Sequence, residues 1–192
     1  MKQSKNNKLN FYCLKCDVKK FFDNINHDIL INTLKREIEN SDILSLIEEV
    51  VFSFQKEKGI PLGNLTSQYF ANIYLNELDQ FVKRKLRIKY YIRYTDDFLI
   101  LNSDKNYLLE LIKPINNFLK GRLKLNLHPD KIIVRKYNQG IDFLGYVTLP
   151  YYRVLRTKTK KRMFRKIDSK NIQSYLGILK HCDGHKLTRK LL

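Results

Sequence analysis

Hydrophobic and polar positions change period several times along this chain, and each change marks an element. Residues 11–22 carry aromatic and apolar side chains on either side of Asp17 and read as a strand. Residues 28–37 place Ile29, Leu30, Leu34 and the following Ile38 on one helical face. Asp42 then caps a second helix, whose apolar face holds Ile43, Leu46, Ile47, Val50 and Val51. Gly59 and Pro61 interrupt the chain. A long helix over residues 65–86 follows, with a stripe of Phe70, Ile73, Tyr74, Leu78, Phe81 and Val82. Two short aromatic and β-branched runs, 90–94 and 98–101, flank Thr95-Asp96-Asp97, the pattern of a hairpin with two carboxylates at its tip. Asp104 starts a helix to about residue 120, and strand-like runs follow at 123–127, 132–136 and 141–149. Helix-like stretches at 158–167 and 172–180 close the chain. Nothing repeats at a period of 20–50 residues. The mixed order predicts an α+β fold with a mostly antiparallel sheet.

Charge adds a partner class to this picture. The chain has 192 residues with 37 Lys and Arg against 19 Asp and Glu, a net +18, and is 43% hydrophobic with 12 Tyr and 11 Phe. That composition supports a core and disfavours general disorder. Residues 151–192 hold thirteen basic residues opposed by Asp168 and Asp183, a net +11. A polyanion is the expected partner, nucleic acid before an anionic membrane surface. The tail's interleaved Tyr151, Tyr152, Met163, Phe164 and Tyr175 favour a folded element over a disordered arm; a solvated helix surface is the alternative. No run approaches the ~18 apolar residues of a spanning helix. Residues 1–10 are polar and Lys-rich with no apolar leader core. Three cysteines make no disulfide framework, so the expected setting is reducing and cytoplasmic, with no membrane partner. Cys13-x-x-Cys16 and Cys182-x-x-His185 have zinc-like spacings, but strand residues three apart point to opposite faces, so packed thiols are expected. His27 and His128 are expected to be structural or exposed.

The acidic residues carry the candidate chemistry. Asp96 and Asp97 alone are compatible with a solvated turn, since Asp is common there. Asp17 alone is compatible with a strand end. Together, three acids in apolar strands are costly unless a cation neutralises them. They would suit two Mg²⁺ ions about 3.5–4 Å apart, the arrangement that activates a hydroxyl and stabilises a leaving pyrophosphate.

Four motifs then occur in one order. Tyr94-Thr95-Asp96-Asp97 resembles the Tyr-x-Asp-Asp box of reverse transcriptases. Cys16-Asp17-Val18-Lys19-Lys20-Phe21-Phe22-Asp23-Asn24-Ile25 resembles their first catalytic box. Gly59-Ile60-Pro61-Leu62-Gly63-Asn64-Leu65-Thr66-Ser67-Gln68 resembles the intervening box, and Phe143-Leu144-Gly145-Tyr146 the primer-grip turn. Each is weak alone; the ordered set, spanning residues 11–150, is strong. Leu62-Gly63-Asn64-Leu65-Thr66-Ser67-Gln68 resembles the enzymes of diversity-generating retroelements, as do Pro150-Tyr151-Tyr152-Arg153, Arg162-Met163-Phe164 and Ser174-Tyr175-Leu176-Gly177.

The resemblance implies an RNA-directed DNA polymerase of a bacterial or phage retroelement, error-prone at template adenines. It implies two Mg²⁺ ions, dNTPs, an RNA template, a DNA or RNA primer, and a small basic accessory protein. Asp17, Asp96 and Asp97 match the catalytic, metal-binding acids, with the Val18 carbonyl as a further ligand. Phe22 matches the aromatic gate that excludes a ribose 2′-hydroxyl. Leu62, Gly63 and Gln68 fall at the nucleotide, Leu62 replacing a polar Gln of other families. Lys131 matches a lysine near the pyrophosphate, with a solvated surface lysine as the alternative. Phe143, Leu144, Gly145 and Tyr146 match the primer grip. Arg156, Lys158, Lys160, Lys161, Arg162 and Arg165 are the expected nucleic-acid contacts. The implied organisation is a polar stub at 1–10, a palm at 11–150 and the basic start of a thumb at 151–192. About sixteen residues precede Asp17 where the family has a fingers region. The alternative expectation is therefore a catalytically incompetent palm–thumb fragment that only binds RNA or DNA.

Overall fold

The computed structural model describes residues 11–53 and 58–191. It is an α+β chain with two sheets and two compact units, Cys13–Val134 and the described residues 11–12 with 135–191.

The first unit is organised by a four-stranded sheet. Strand β1 (Tyr12–Asp17) buries Cys13, Leu14 and Cys16. It stops at Asp17, well short of residue 22, because Lys20 turns left-handed (φ 46°) into the single helical turn α1 (Phe21–Asn24). Helix α2 (His27–Leu34) is capped by Asn26, whose side chain accepts from the Ile29 amide. Helix α3 (Ser41–Phe52) starts earlier than its sequence pattern suggests. Asn40, not Asp42, is the cap, accepting from the Asp42 and Ile43 amides at 3.0 Å each. Its expected apolar face also splits: Val51 is buried, whereas Ile43, Leu46 and Val50 are exposed, Leu46 to 62%. Helical spacing here serves two faces, and only one meets the core.

Helix α4 (Leu65–Gln80) buries Phe70, Ala71, Tyr74, Leu75 and Leu78, then widens into a π-helical turn over Phe81–Lys85. Tyr74 is its anchor. The hydroxyl donates to the Leu123 carbonyl at 2.6 Å and accepts from the Asn26 amide at 3.3 Å, joining three segments through one buried ring. Strands β2 (Tyr90–Tyr94) and β3 (Asp97–Asn102) form the expected antiparallel hairpin, with Tyr94 opposite Asp97. Asp104 caps helix α5 (Lys105–Glu110), and helix α6 (Ile112–Leu123) continues beyond a break at Leu111. The run 123–127 is not a strand. Helix α6 occupies it to Leu123, Lys124 turns left-handed (φ 54°), and only Leu127 makes a bridge, to Val18. Strand β4 (Ile133–Lys136) completes the order β2-β3-β1-β4.

The second unit contains the antiparallel sheet β5 (Ile141–Phe143), β6 (Tyr146–Thr148) and β7 (Arg153–Leu155). The expected single strand 141–149 is broken because Leu144 (φ 52°) and Gly145 (φ 84°) reverse the chain between Phe143 and Tyr146. Gly140 is required sterically: a Cβ there would lie 2.6 Å from Val147 Cγ1. Helices α7 (Thr157–Lys166), α8 (Ile172–Lys180) and α9 (His185–Leu191) follow. Their core is Leu155, Met163 and Leu179, against which Tyr146, Tyr175 and Ile178 pack. Strand β7 and helix α9 carry little periodic signal of their own. Their place is set by partners, as where the Asp183 amide donates to the Arg153 carbonyl at 2.7 Å.

Candidate functional site

The acids meet at one corner of the first unit. Strand β1 ends beside the hairpin tip, where the buried Val18 donates its amide to the Asp96 carbonyl at 3.1 Å. Thr95 makes the tip possible by adopting φ 50°, and its hydroxyl donates to Asp96 Oδ1 at 3.0 Å. On the other side, the His128 amide donates to the Asp17 carbonyl at 2.8 Å. His128 Nδ1 in turn accepts from the Asp130 amide at 3.3 Å, closing the short 3₁₀ turn Pro129–Lys131. That turn aims Lys131, whose Nζ donates to Asp17 Oδ2 at 2.8 Å. The Asp97 carboxylate has its own lysine: Lys15 Nζ lies 3.1 Å from Oδ2.

Electrostatics tie these groups together. The Lys131 ammonium is held above its ordinary range by its hydrogen bond to Asp17, with the charges of Asp17, Asp96 and Asp97 adding to it against some desolvation. Burial raises the Asp97 carboxyl; Lys15 opposes the shift, while Asp17 and Asp96 reinforce it. The Cys16 thiol beneath them is pushed up to about 12 by burial, with Cys13, Asp97 and Asp17 adding. Cys16 is therefore a packed thiol, not a nucleophile. Three carboxylates in a half-buried corner offer the hard oxygen donors that Mg²⁺ takes. Asp97 Oδ1 is buried with no hydrogen-bond partner among the described residues, a donor oxygen that fits a cation. Among the described residues, however, no group of three or more His, Cys, Asp or Glu side chains is arranged to hold a metal ion.

The segments assigned to the nucleotide lie in the same unit. The Ile60 amide donates to the Phe22 carbonyl at 2.9 Å, and the Gly59 amide to the Ile25 carbonyl at 2.8 Å. The Leu62 loop is thus laced to the Phe22 turn. Phe22 is half-buried, edge-on to Phe21 with centroids 5.2 Å apart. Leu62 is 72% exposed, Gln68 is exposed, and Gly63 (φ 97°) has open space around it. These three lie on an open surface. His27 is structural: its Nε2 pairs with the Gly59 carbonyl at 2.7 Å.

In the second unit the turn at Leu144 and Gly145 borders a cleft of about 910 Å³. Arg156, Lys158, Lys161, Arg162 and Arg165 line it, with Thr157 and Thr159. Lys160 does not line it, and neither do Phe143 and Tyr146. Tyr146 instead donates its hydroxyl to the Ile178 carbonyl at 3.0 Å. Arg156, on the cleft wall, forms an ion pair with Asp142.

Sequence reasoning passed over Lys15 and a network at Arg93, and read His128 only as structural or exposed. Arg93 grips both oxygens of Asp79, Nε to Oδ1 at 2.8 Å and a terminal nitrogen to Oδ2 at 2.6 Å. It also donates to the Thr95 carbonyl at 3.0 Å and so braces the hairpin tip from helix α4. Strand alternation could have flagged Lys15, two residues before Asp17 and therefore on its face. The other two signals depend on distant partners.

Comparisons with known proteins identify the family and the fold. The family described as reverse transcriptase (RNA-dependent DNA polymerase) matches residues 1–148. The group II intron-encoded protein LtrA of Lactococcus lactis subsp. cremoris is 25% identical over 216 residues, covering 76% of this chain and 35% of that protein. The retron Ec73 reverse transcriptase of Escherichia coli is 25% identical over 215 residues, covering 94% of this chain and 66% of that protein. The chain spans less than half the length of most curated relatives it matches. In fold it resembles telomerase from Candida albicans (TM-score 0.58, 16% identity, 77% of this chain and 30% of that one). It also resembles the foamy viral protease-reverse transcriptase solved with an RNA/DNA hybrid (TM-score 0.53, 18% identity, 88% and 21%). With the family match covering most of its length and a palm-type polymerase fold, this chain belongs to the reverse transcriptase family.

Proposed function

We propose that this protein is an RNA-directed DNA polymerase of a bacterial or phage retroelement, most like those of diversity-generating retroelements. The observation that carries the reading is the meeting of Asp17 with the Asp96–Asp97 tip through the Val18–Asp96 hydrogen bond. Asp17 and Asp96, with Asp97 and the Val18 carbonyl, would hold two Mg²⁺ ions. Bound there, such ions lower the pKa of a primer hydroxyl and neutralise the leaving pyrophosphate. The chain's own residues do the rest. Lys131, now bonded to Asp17, would pass to the triphosphate and give a proton to the leaving group, a role its exposed ammonium beside the acids supports. Phe22 stands at the sugar, and Leu62 leaves the base without a polar side-chain contact, which loosens base selection at template adenines. Residues 11–150 act as palm and 151–192 as the start of a thumb. Arg156, Lys158, Lys160, Lys161, Arg162 and Arg165 hold phosphates of template and primer, and a small basic accessory protein joins the complex.

The test is primer extension on an RNA template with dNTPs and Mg²⁺. Asp96→Asn should reduce extension by about 10³-fold with primer–template affinity unchanged. Equal extension by both proteins would remove the acids from the mechanism. One observation favours a second reading, a module that binds nucleic acid without turnover: Asp17 and Asp97 are each already paired with a lysine. Under it, binding persists in the wild type while extension is absent.

A further inference from the structure

We infer that Lys15 is a positioning residue that pins Asp97 and holds down the cation affinity of the acidic corner, an inference that rests on the polymerase reading of the acids. The two lysines at this corner are placed differently. Lys131 reaches Asp17 from a turn, and its side chain is 52% exposed, so an arriving cation or phosphate can replace it. Lys15 stands on β1 itself, two residues before Asp17 and on the same face. Its side chain is only 18% exposed and that of Asp97 only 23%. Shielded from water, that pair is held more firmly than a surface ion pair.

The pairing is selective between the two oxygens of Asp97. Oδ2 takes Lys15 at 3.1 Å, and Oδ1 is buried without a hydrogen-bond partner among the described residues. The ammonium therefore fixes the carboxylate's rotation and leaves one oxygen free for a cation. It also cancels part of the negative potential that Asp17, Asp96 and Asp97 create together. Removing the Lys15 charge should release Asp97 and deepen that potential at once. Cation affinity and correct placement should then move in opposite directions. A lysine that merely supported the fold would lower both.

The experiment is Mn²⁺ binding to the 192-residue chain by electron paramagnetic resonance, with thermal unfolding of the same proteins without metal. Lys15→Met should bind Mn²⁺ about fivefold more tightly than wild type. Lys15→Arg, which keeps the charge, should restore wild-type affinity. In unfolding, Lys15→Met combined with Asp97→Asn should lower Tm by less than the sum of the single changes. Mn²⁺ binding that Asp17→Asn removes but Lys15→Met leaves unaltered or weakens overturns the role of Lys15 alone, as does additive unfolding. Absence of any Mn²⁺ binding sensitive to Asp17→Asn overturns the reading of the acids, and this role with it.

Discussion

Single side chains at the acidic corner answer to their burial before their identity. Cys16 lies under the acids with its thiol pushed up to about 12, so at pH 8 it carries almost no thiolate. Iodoacetamide on the native protein should label the half-exposed Cys182 first and leave Cys13 and Cys16 untouched until unfolding, as mass spectrometry of the peptides would show. Early labelling of Cys16 would mean that strand β1 is not packed as described. The polymerase reading makes two further residue-level demands on an extension-competent preparation. Phe22→Ala should admit ribonucleotides, and Leu62→Gln should raise fidelity opposite template adenine; both are read by single-nucleotide incorporation. The three acids were legible in the sequence because a carboxylate inside an apolar run is costly to bury without a cation beside it. Lys15 was not, because a lysine in a chain of net +18 is unremarkable until Asp97, 82 positions away, is placed beside it.

At the scale of elements, the hairpin tip depends on helix α4 through one half-buried cluster. Arg93, Asp79 and the Tyr91 hydroxyl, which donates to Asp79 Oδ1 at 2.6 Å, form its centre. Arg93→Met should cost about 3 kcal/mol by leaving Asp79 without its cation, and should loosen the Thr95 turn. Tyr91→Phe should cost about 1 kcal/mol. Urea denaturation separates the two. A pH effect follows from the buried tyrosines. Burial raises Tyr74 to about 12, and burial with the Asp79 charge raises Tyr91 as well. The fold favours their neutral forms, so their contribution is fully present below pH 10, where unfolded tyrosine is also neutral, and is lost as pH rises through the folded values. Stability should decline between pH 10 and 12, less steeply in Tyr74→Phe. Elements with one clear face, such as α2 and the β2–β3 hairpin, were readable from periodicity. The alternating apolar positions at 123–127 misled because Leu125 and Leu127 are buried without belonging to a strand. At α3, two polar residues competed as cap, and only the hydrogen bonds distinguish Asn40 from Asp42.

For the whole molecule, the proposed reading has nucleic acid meet a net charge of +18 and the basic cleft. Binding to a primer–template should weaken steeply with salt, with a log–log slope of about −4 to −5 if five or so phosphates are neutralised. Lys161→Ala with Arg162→Ala should make that slope about 2 units shallower without altering sequence preference. Fluorescence anisotropy across a salt series measures both. Fold class and the order of the motifs were visible from the sequence because each motif keeps its chemistry within about ten residues. The ion pairs that hold the acids were not, since they join β1, β3 and the 129–131 turn across the fold. On the proposed reading, the chemistry at this corner turns on where a divalent cation goes. Crystals of the chain grown with Mn²⁺ and a non-hydrolysable dNTP should show anomalous peaks in direct contact with Asp17 and Asp96, with Lys131 moved off Asp17 toward the triphosphate. Peaks elsewhere, with the Lys131–Asp17 pair intact, would contradict it.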